Sequence, residues 1–299
     1  MILRWRAAAI LGCGILCIST SALFIRMALG AADASGLGFS LVISASRLFL
    51  ASVILLPTWR RFQPDAYRPG TLVYSAIAGV LLAVHFGTWI TSLSYTSIAA
   101  STVLVTTDPI WVALISWLWL GERLTRRIIL GIAVTLVGGL VIGWQVGGEA
   151  VGQNPLLGNA LALVGAWTFS LYFVLGREVQ RQGLKAGQHS AIAFSAAALV
   201  LLPLPLLVGA PYTGYPSSVY GLLLLMAIVP QLMGHTSLNW AAYHLSPTLV
   251  TLAILLEPVG ASTLGYFAFG EVPSVRVLVG AVIILAGVAI AATETKSRA

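Results

Sequence analysis

Two carboxylates stand where a carboxylate is costly. Asp108 and Glu257 each interrupt a long apolar stretch, each is followed by proline, and they lie 149 positions apart in a chain of 299 residues. A charge at the centre of a membrane helix costs about 2.5–3.5 kcal/mol on insertion scales, so such residues face a cavity or a partner and often mark a substrate or proton path. Pro109 and Pro258 lack the N–H that would bond the carbonyl four residues back, which frees the carbonyls of Val105 and Ile254; Pro230 does the same at Met226. Freed backbone at membrane depth is tolerated where it lines water or is buried in protein. Arg47 is the basic residue at matching depth, and one arginine cannot neutralise two acids. Which acid exchanges a proton stays open: Asp108 shares its half of the chain with Arg47, a pairing that leaves Glu257 the marginally favoured one. The competing reading makes both acids structural, hydrogen-bonded across the molecule or paired with Arg47.

Other polar and aromatic residues fall on common helical faces. Tyr74, Ala78, Leu82, His85 and Trp89 recur by three- and four-residue steps, as do Gln231, His235 and Asn239. His85 and His235 occupy matching positions to within one residue under the 149-residue shift. Trp111, Trp167 and Tyr172 add aromatic surface near the same depth. Each histidine reads either as a packing residue or as part of a cavity wall. Trp5, Trp59 and Trp144, near the ends of apolar stretches, read as interfacial anchors. Cys13 and Cys17 sit four apart on one helix, poor geometry for a disulfide and too few thiols for zinc, so they read as small packing residues. No HExxH, phosphate-cradling glycine loop or nucleophile elbow occurs. The residues call for no metal and no cofactor, and a membrane-embedded enzyme or a non-transporting membrane scaffold is the weaker alternative to a carrier.

The elements that must position these residues are membrane helices. Apolar residues make up 59% of the chain and charged residues 8%, against roughly 25% charged in soluble domains. A bilayer core of about 30 Å takes roughly 20 apolar residues per helix. Such stretches lie near 7–29, 37–57, 70–92, 97–120, 127–146, 156–177, 188–209, 217–240, 246–269 and 274–292. This predicts an all-α membrane protein of ten transmembrane helices, with no room for a soluble catalytic domain. The run after Arg4 and Arg6 is longer than a signal-peptide core and has a counterpart in the second half, so it reads as the first span.

The net charge of +7 does not point to nucleic acid. The basic residues Arg4, Arg6, Arg60, Arg61, Arg68, Arg123, Arg126, Arg127, Arg177, Arg181, Lys185, Lys296 and Arg298 gather at the termini and in alternate loops. That asymmetry places both termini in the cytoplasm.

The chain also repeats itself. The 149-residue shift lays Asp108 on Glu257, Pro109 on Pro258, Gly121 on Gly270, Glu122 on Glu271, Ser97 on Ser246, Arg127 on Arg276, Gly131 on Gly280 and Gly138 on Gly287. With five spans per half, the halves enter the membrane in opposite directions, as two inverted five-helix repeats. That arrangement recurs in secondary transporters, which bind substrate near the midplane between the repeats. A cavity is expected from spans one, three, four, six, eight and nine, with five and ten outside. In span five, Gly131, Gly139 and Gly143 with Thr135 form a small-residue stripe suited to close helix packing. Packing within the chain is its first reading, and a homodimer contact its second.

With the repeat laid out, the chain resembles the EamA-type family of the drug/metabolite transporter superfamily. The resemblance rests on Tyr95-Thr96-Ser97, Pro109, Leu120-Gly121-Glu122-Arg123-Leu124, Glu257-Pro258, Gly270-Glu271, the mid-helix Arg47 and the helices of Gly131 and Gly280. It covers residues 9–143 and 157–291. It implies a proton- or gradient-driven carrier of the bacterial inner membrane, often an exporter of amino acids or other small metabolites. The family often has Trp-Gly in span one, where this chain has Cys17-Ile18 before Ser19.

Overall fold

A helix that loses its hydrogen bonds at a proline must stop or re-form, and in the computed structural model of the chain this happens at the same place in each half. The structure describes residues 2–60, 62, 67–121, 125–143, 154–245, 247–270, 272 and 274–297. Glu122, Glu271, Arg61, Arg123, Leu124, Trp144, Ser246 and Arg298 lie outside the described residues.

The described residues form helices α1 (Ile2–Ala32), α2 (Leu37–Ile54), the short α3 (Leu56–Trp59), α4 (Thr71–Ser92), α5 (Ile98–Val105), α6 (Asp108–Leu120), α7 (Arg126–Gly143), α8 (Pro155–Arg181), α9 (Ala186–Leu201), the short α10 (Pro203–Leu207) and α11 (Ser217–Met226). A π-helical segment, Ala227–His235, leads into α12 (Thr236–His244), and α13 (Pro247–Ile254), α14 (Glu257–Phe269) and α15 (Val275–Ser297) complete the chain. No strand occurs among the described residues. Among the described residues, seven segments are long and apolar enough to cross a membrane: Arg6–Ala32, Leu37–Ile54, Thr71–Ser92, Ala100–Trp119, Pro155–Arg181, Ala186–Leu207 and Ser217–His244. The protein is therefore an all-helical, multi-pass membrane protein.

The fourth and ninth stretches, continuous in sequence, are broken in space. Helix α5 ends at Val105 and α6 restarts at Asp108; α13 ends at Ile254 and α14 restarts at Glu257. Each restart puts the acid first and the proline second, where proline's missing N–H costs nothing and the helix dipole favours a carboxylate. Both α6 and α14 run 13 residues. They stop at Gly121 (φ 65°, ψ 18°) and Gly270 (φ 66°, ψ 17°), in the left-handed conformation that suits glycine at a helix C-terminus. The start of α5 is fixed by Ser97, whose Oγ accepts from the Ala100 N–H at 3.1 Å.

The core lies between α1, α2, α4, α8 and α9 and holds Ile25, Ile43, Leu48, Leu82, Phe86, Ile90, Phe173 and Phe194. Backbones meet where side chains are absent: a Cβ on Gly79 of α4 would collide with the Ala193 carbonyl of α9. Helices α7 and α15 pack chiefly on each other. There the contacts are reciprocal, since a Cβ on Gly138 would stand 2.7 Å from the Gly280 carbonyl oxygen and one on Gly287 would stand 2.7 Å from that of Gly131. The small-residue stripe of α7 is thus used within the chain. Its face runs through Gly131, Thr135 and Gly138, whereas Gly139 has open space beside it.

Candidate functional site

The two helix breaks open onto one cavity. Ser21 and Ile18 of α1, His85 and Trp89 of α4, Val105 and Thr106 at the first break, Phe169 of α8, His235 and Leu238 at the end of the π segment, and Ile254 and Glu257 at the second break line it, with Asp108. The wall therefore comes from the six spans named above as cavity-forming. It leaves about 20 Å³ for the centre of a water-sized sphere, which holds one or two waters. A metabolite needs the walls to move apart.

Asp108 is buried, and its Oδ1 makes no hydrogen bond. The Ser170 hydroxyl of α8 is turned to the main-chain oxygens of Asp108 (3.3 Å) and Ala166 (2.9 Å). Glu257 is also buried, and its main-chain oxygen lies 3.5 Å from Ser19 Oγ of α1. His85 Nδ1 lies 2.9 Å from the Gly165 carbonyl. A carbonyl only accepts, so Nδ1 carries the proton and Nε2 is the acceptor of the neutral ring. The His85 ring stacks on Trp89 at 5.8 Å and touches Phe169 at 4.9 Å. His235 meets the rings of Phe86 (5.3 Å) and Phe169 (5.7 Å) edge-on.

Arg47 is fully buried but forms no part of the cavity wall. Its Nε donates to Gln231 Oε1 at 3.1 Å, its Nη1 donates to Ser21 Oγ at 2.9 Å, and its Cζ lies 4.2 Å from the centroid of Phe86. Phe86 touches both cavity histidines as well, and Ser21 is itself on the wall, so the guanidinium is one side chain removed from the cavity. The side chains that Arg47 meets are thus Gln231 and Ser21, neither of them an acid. Among the described residues no direct ion pair joins Arg47 to either acid.

Of the residues singled out in the sequence, His85, Trp89, Asp108, His235 and Glu257 meet in the cavity; others do not. Trp167 is 49% exposed on the outer surface of α8, and Tyr74 is 44% exposed on α4. Trp111 is half-buried and donates from Nε1 to Thr107 Oγ1 at 3.3 Å. Gln231 faces Arg47. Asn239 is buried and donates to Tyr172 Oη (2.6 Å) and Ser190 Oγ (3.1 Å). Gln231 loses the face of His235 for a physical reason: four-residue steps hold one face only in an α-helix, and Ala227–His235 is wound with the wider i→i+5 spacing. Asn239 follows His235 by one α-helical turn of α12 and is packed on Tyr172 and Ser190. Pro230 does more than free one carbonyl, since it sits inside this π segment.

Sequence reasoning passed over Phe86, Phe169, Ser21 and His189. Phe169 is one helical turn from Tyr172, a signal of phase; Ser21, two residues past Ser19, is a polar residue at mid-depth. His189 lies outside the cavity, with Nδ1 2.8 Å from Ser75 Oγ and its ring stacked on Tyr172 at 5.7 Å. Among the described residues, no group of three His, Cys, Asp or Glu side chains is arranged to hold a metal.

A discontinuous helix in each half, an acid at each restart and one buried cavity between them is an arrangement that membrane carriers use. The comparison with known proteins decides the family, because the model of the EamA-like transporter family matches twice, at residues 5–144 and 156–293. The chain belongs to the EamA-like transporter family. An "Uncharacterized transporter" of Archaeoglobus fulgidus is 26% identical to this EamA-like chain over 274 residues, covering 90% of it and 91% of the relative. A "Probable terminal-alkyne amino-acid exporter" of Streptantibioticus cattleyicolor is 28% identical, covering 66% and 65%. The "Pseudopaline exporter CntI" of Pseudomonas aeruginosa is 26% identical, covering 74% of each chain. One solved crystal structure aligns over 98% of both chains with a TM-score of 0.71 at 19% identity, which shows a shared fold. This EamA-like transporter departs from the family's frequent Trp-Gly at a place that matters: Ile18 is on the cavity wall, packed where Gly234 has no side chain.

Proposed function

We propose that the chain is a secondary active exporter of small metabolites, amino acids foremost, working by alternating access between two inverted five-helix repeats at residues 9–143 and 157–291. It sits in the inner membrane with both termini cytoplasmic, carries no chemistry out on its substrate, and uses protons as coupling ion through a cavity carboxyl. The observation that carries this reading is the cavity itself: two broken helices, one from each half, put Asp108 and Glu257 on its wall. Two such halves can exchange shapes at similar energy, so inward- and outward-facing states both stay accessible. The exporter names of two relatives support the direction and the amino-acid class, but Ile18 on the wall keeps either relative's substrate from being carried over. Counterflow in proteoliposomes tests the reading. Saturable exchange of labelled for unlabelled amino acid supports a carrier, and product formation or the absence of exchange across metabolite classes rejects it.

A further inference from the structure

The charge on the cavity wall is one-sided. Two carboxylates line it, while Arg47 stands off the wall, with Nε and Nη1 donated to Gln231 and Ser21 and Nη2 buried without a partner. Asp108 Oδ1 is buried and unpartnered, in a group that is only 3% exposed. A buried acceptor left in this way costs about 1–3 kcal/mol, more when charged, until a donor reaches it. Trp89 and Phe169, tied together through the His85 ring, supply the aromatic faces that attract a cation in a dry site. The unpaired donor on this wall, Trp89 Nε1, is neutral; it suits a hydroxyl, a carbonyl or a water and cannot offset a carboxylate's charge.

We propose that the cavity recognises its substrate through a protonated amine seated at Asp108 with aromatic flanks, and that a carboxylate on the substrate is dispensable. The substrate class is then wider than amino acids: it takes in primary amines with an apolar or aromatic body, for which Ile18, Leu238 and Ile254 provide the wall. Asp108 holds either a proton or the ammonium, which is the elementary requirement for exchanging one for the other. This rests on the transporter reading above, and the test keeps the two separable.

Three probes of one body shape decide it: phenylethylamine, phenylalanine and phenylpropionate, each titrated into the purified full-length chain in detergent with thermal unfolding as readout. The expected result is stabilisation by the amine and the amino acid at concentrations at least ten-fold below any effect of the carboxylate. Asp108→Asn is expected to weaken the amine response ten-fold or more, and Asp108→Glu to retain part of it. If Asp108→Asn does not fold, the wild-type ranking and Asp108→Glu still decide. A carboxylate as effective as the amine, or no response to the amine, overturns the proposal. Amine binding without flux in proteoliposomes upholds the site and rejects the exporter reading. Amino-acid flux through a protein blind to the amine does the reverse.

Discussion

Arg47 is a junction between spans of both halves rather than a ligand of the cavity. It reaches Ser21 on α1 and Gln231 in the π segment. Removing it orphans Gln231 Oε1 and Ser21 Oγ, at about 1–3 kcal/mol for each buried acceptor left unpaired. Arg47→Met is expected to lower the unfolding temperature strongly. A double-mutant cycle should give about 1 kcal/mol of coupling with Glu257→Gln and little with Asp108→Asn; the opposite ranking would restore Asp108 as the partner. Coupling to protons follows the same geometry. Asp108 has a carboxylate oxygen without a partner, and Glu257, His85 and His235 on the wall and Arg47 beside it are the other titratable groups around the cavity. In proteoliposomes, Asp108→Asn should reduce flux driven by a pH gradient at least ten-fold, and Glu257→Gln by less. Folded variants of both acids with wild-type flux at every pH would count against a coupling role.

Among the elements, the pair α7 and α15 offers the sharpest test, because two glycines on each helix meet the other's backbone. Gly287→Ala forces a methyl into the Gly131 carbonyl and Thr135, and overpacking of this kind costs about 1–3 kcal/mol. Gly139→Ala, one residue past Gly138, meets nothing within 4 Å and relieves a glycine in a helix interior, which is worth roughly 0.5–1 kcal/mol. Thermal unfolding in detergent should therefore show the first variant destabilised and the second unchanged or stabilised. Equal loss in both would mean that α7 and α15 do not meet as described. The broken helices behave differently: their restarts place two carboxylates on a helix dipole, so what looks like a defect in the ladder is what makes a buried acid tolerable.

For the whole molecule, the prediction is one of sidedness and access. A reporter active only in the cytoplasm should work when fused at residue 299 and fail in the 147–155 loop, since the basic loops share one side; the reverse pattern rejects the topology. Cysteine at His235 or Trp89 should react with a water-soluble thiol reagent, because both side chains line the cavity. Cysteine at Val137, 52% exposed on the outer face of α7, at Ile284, packed at the glycine crossing, or at Asn239, packed on Tyr172 and Ser190, should react slowly. Uniform labelling at all five positions would mean that no such cavity opens.

What the sequence determined by itself is the class and the places of interruption. Apolar stretches of bilayer length leave a chain no alternative to helices, and proline after an acid marks the same break in each half, because a missing N–H acts locally. The cavity's five shared residues were legible for the same reason: a charge or an imidazole at mid-depth has to find water, a partner or a void. Only the tertiary structure decided that Arg47 meets Ser21 and Gln231 rather than the acid of its own half, since side chains meet by packing and not by chain proximity. It also decided that Trp167 points outward and that Gln231 leaves the face of His235. An outward tryptophan costs nothing in an apolar surround, and a π turn shifts helical phase without a residue pattern that announces it.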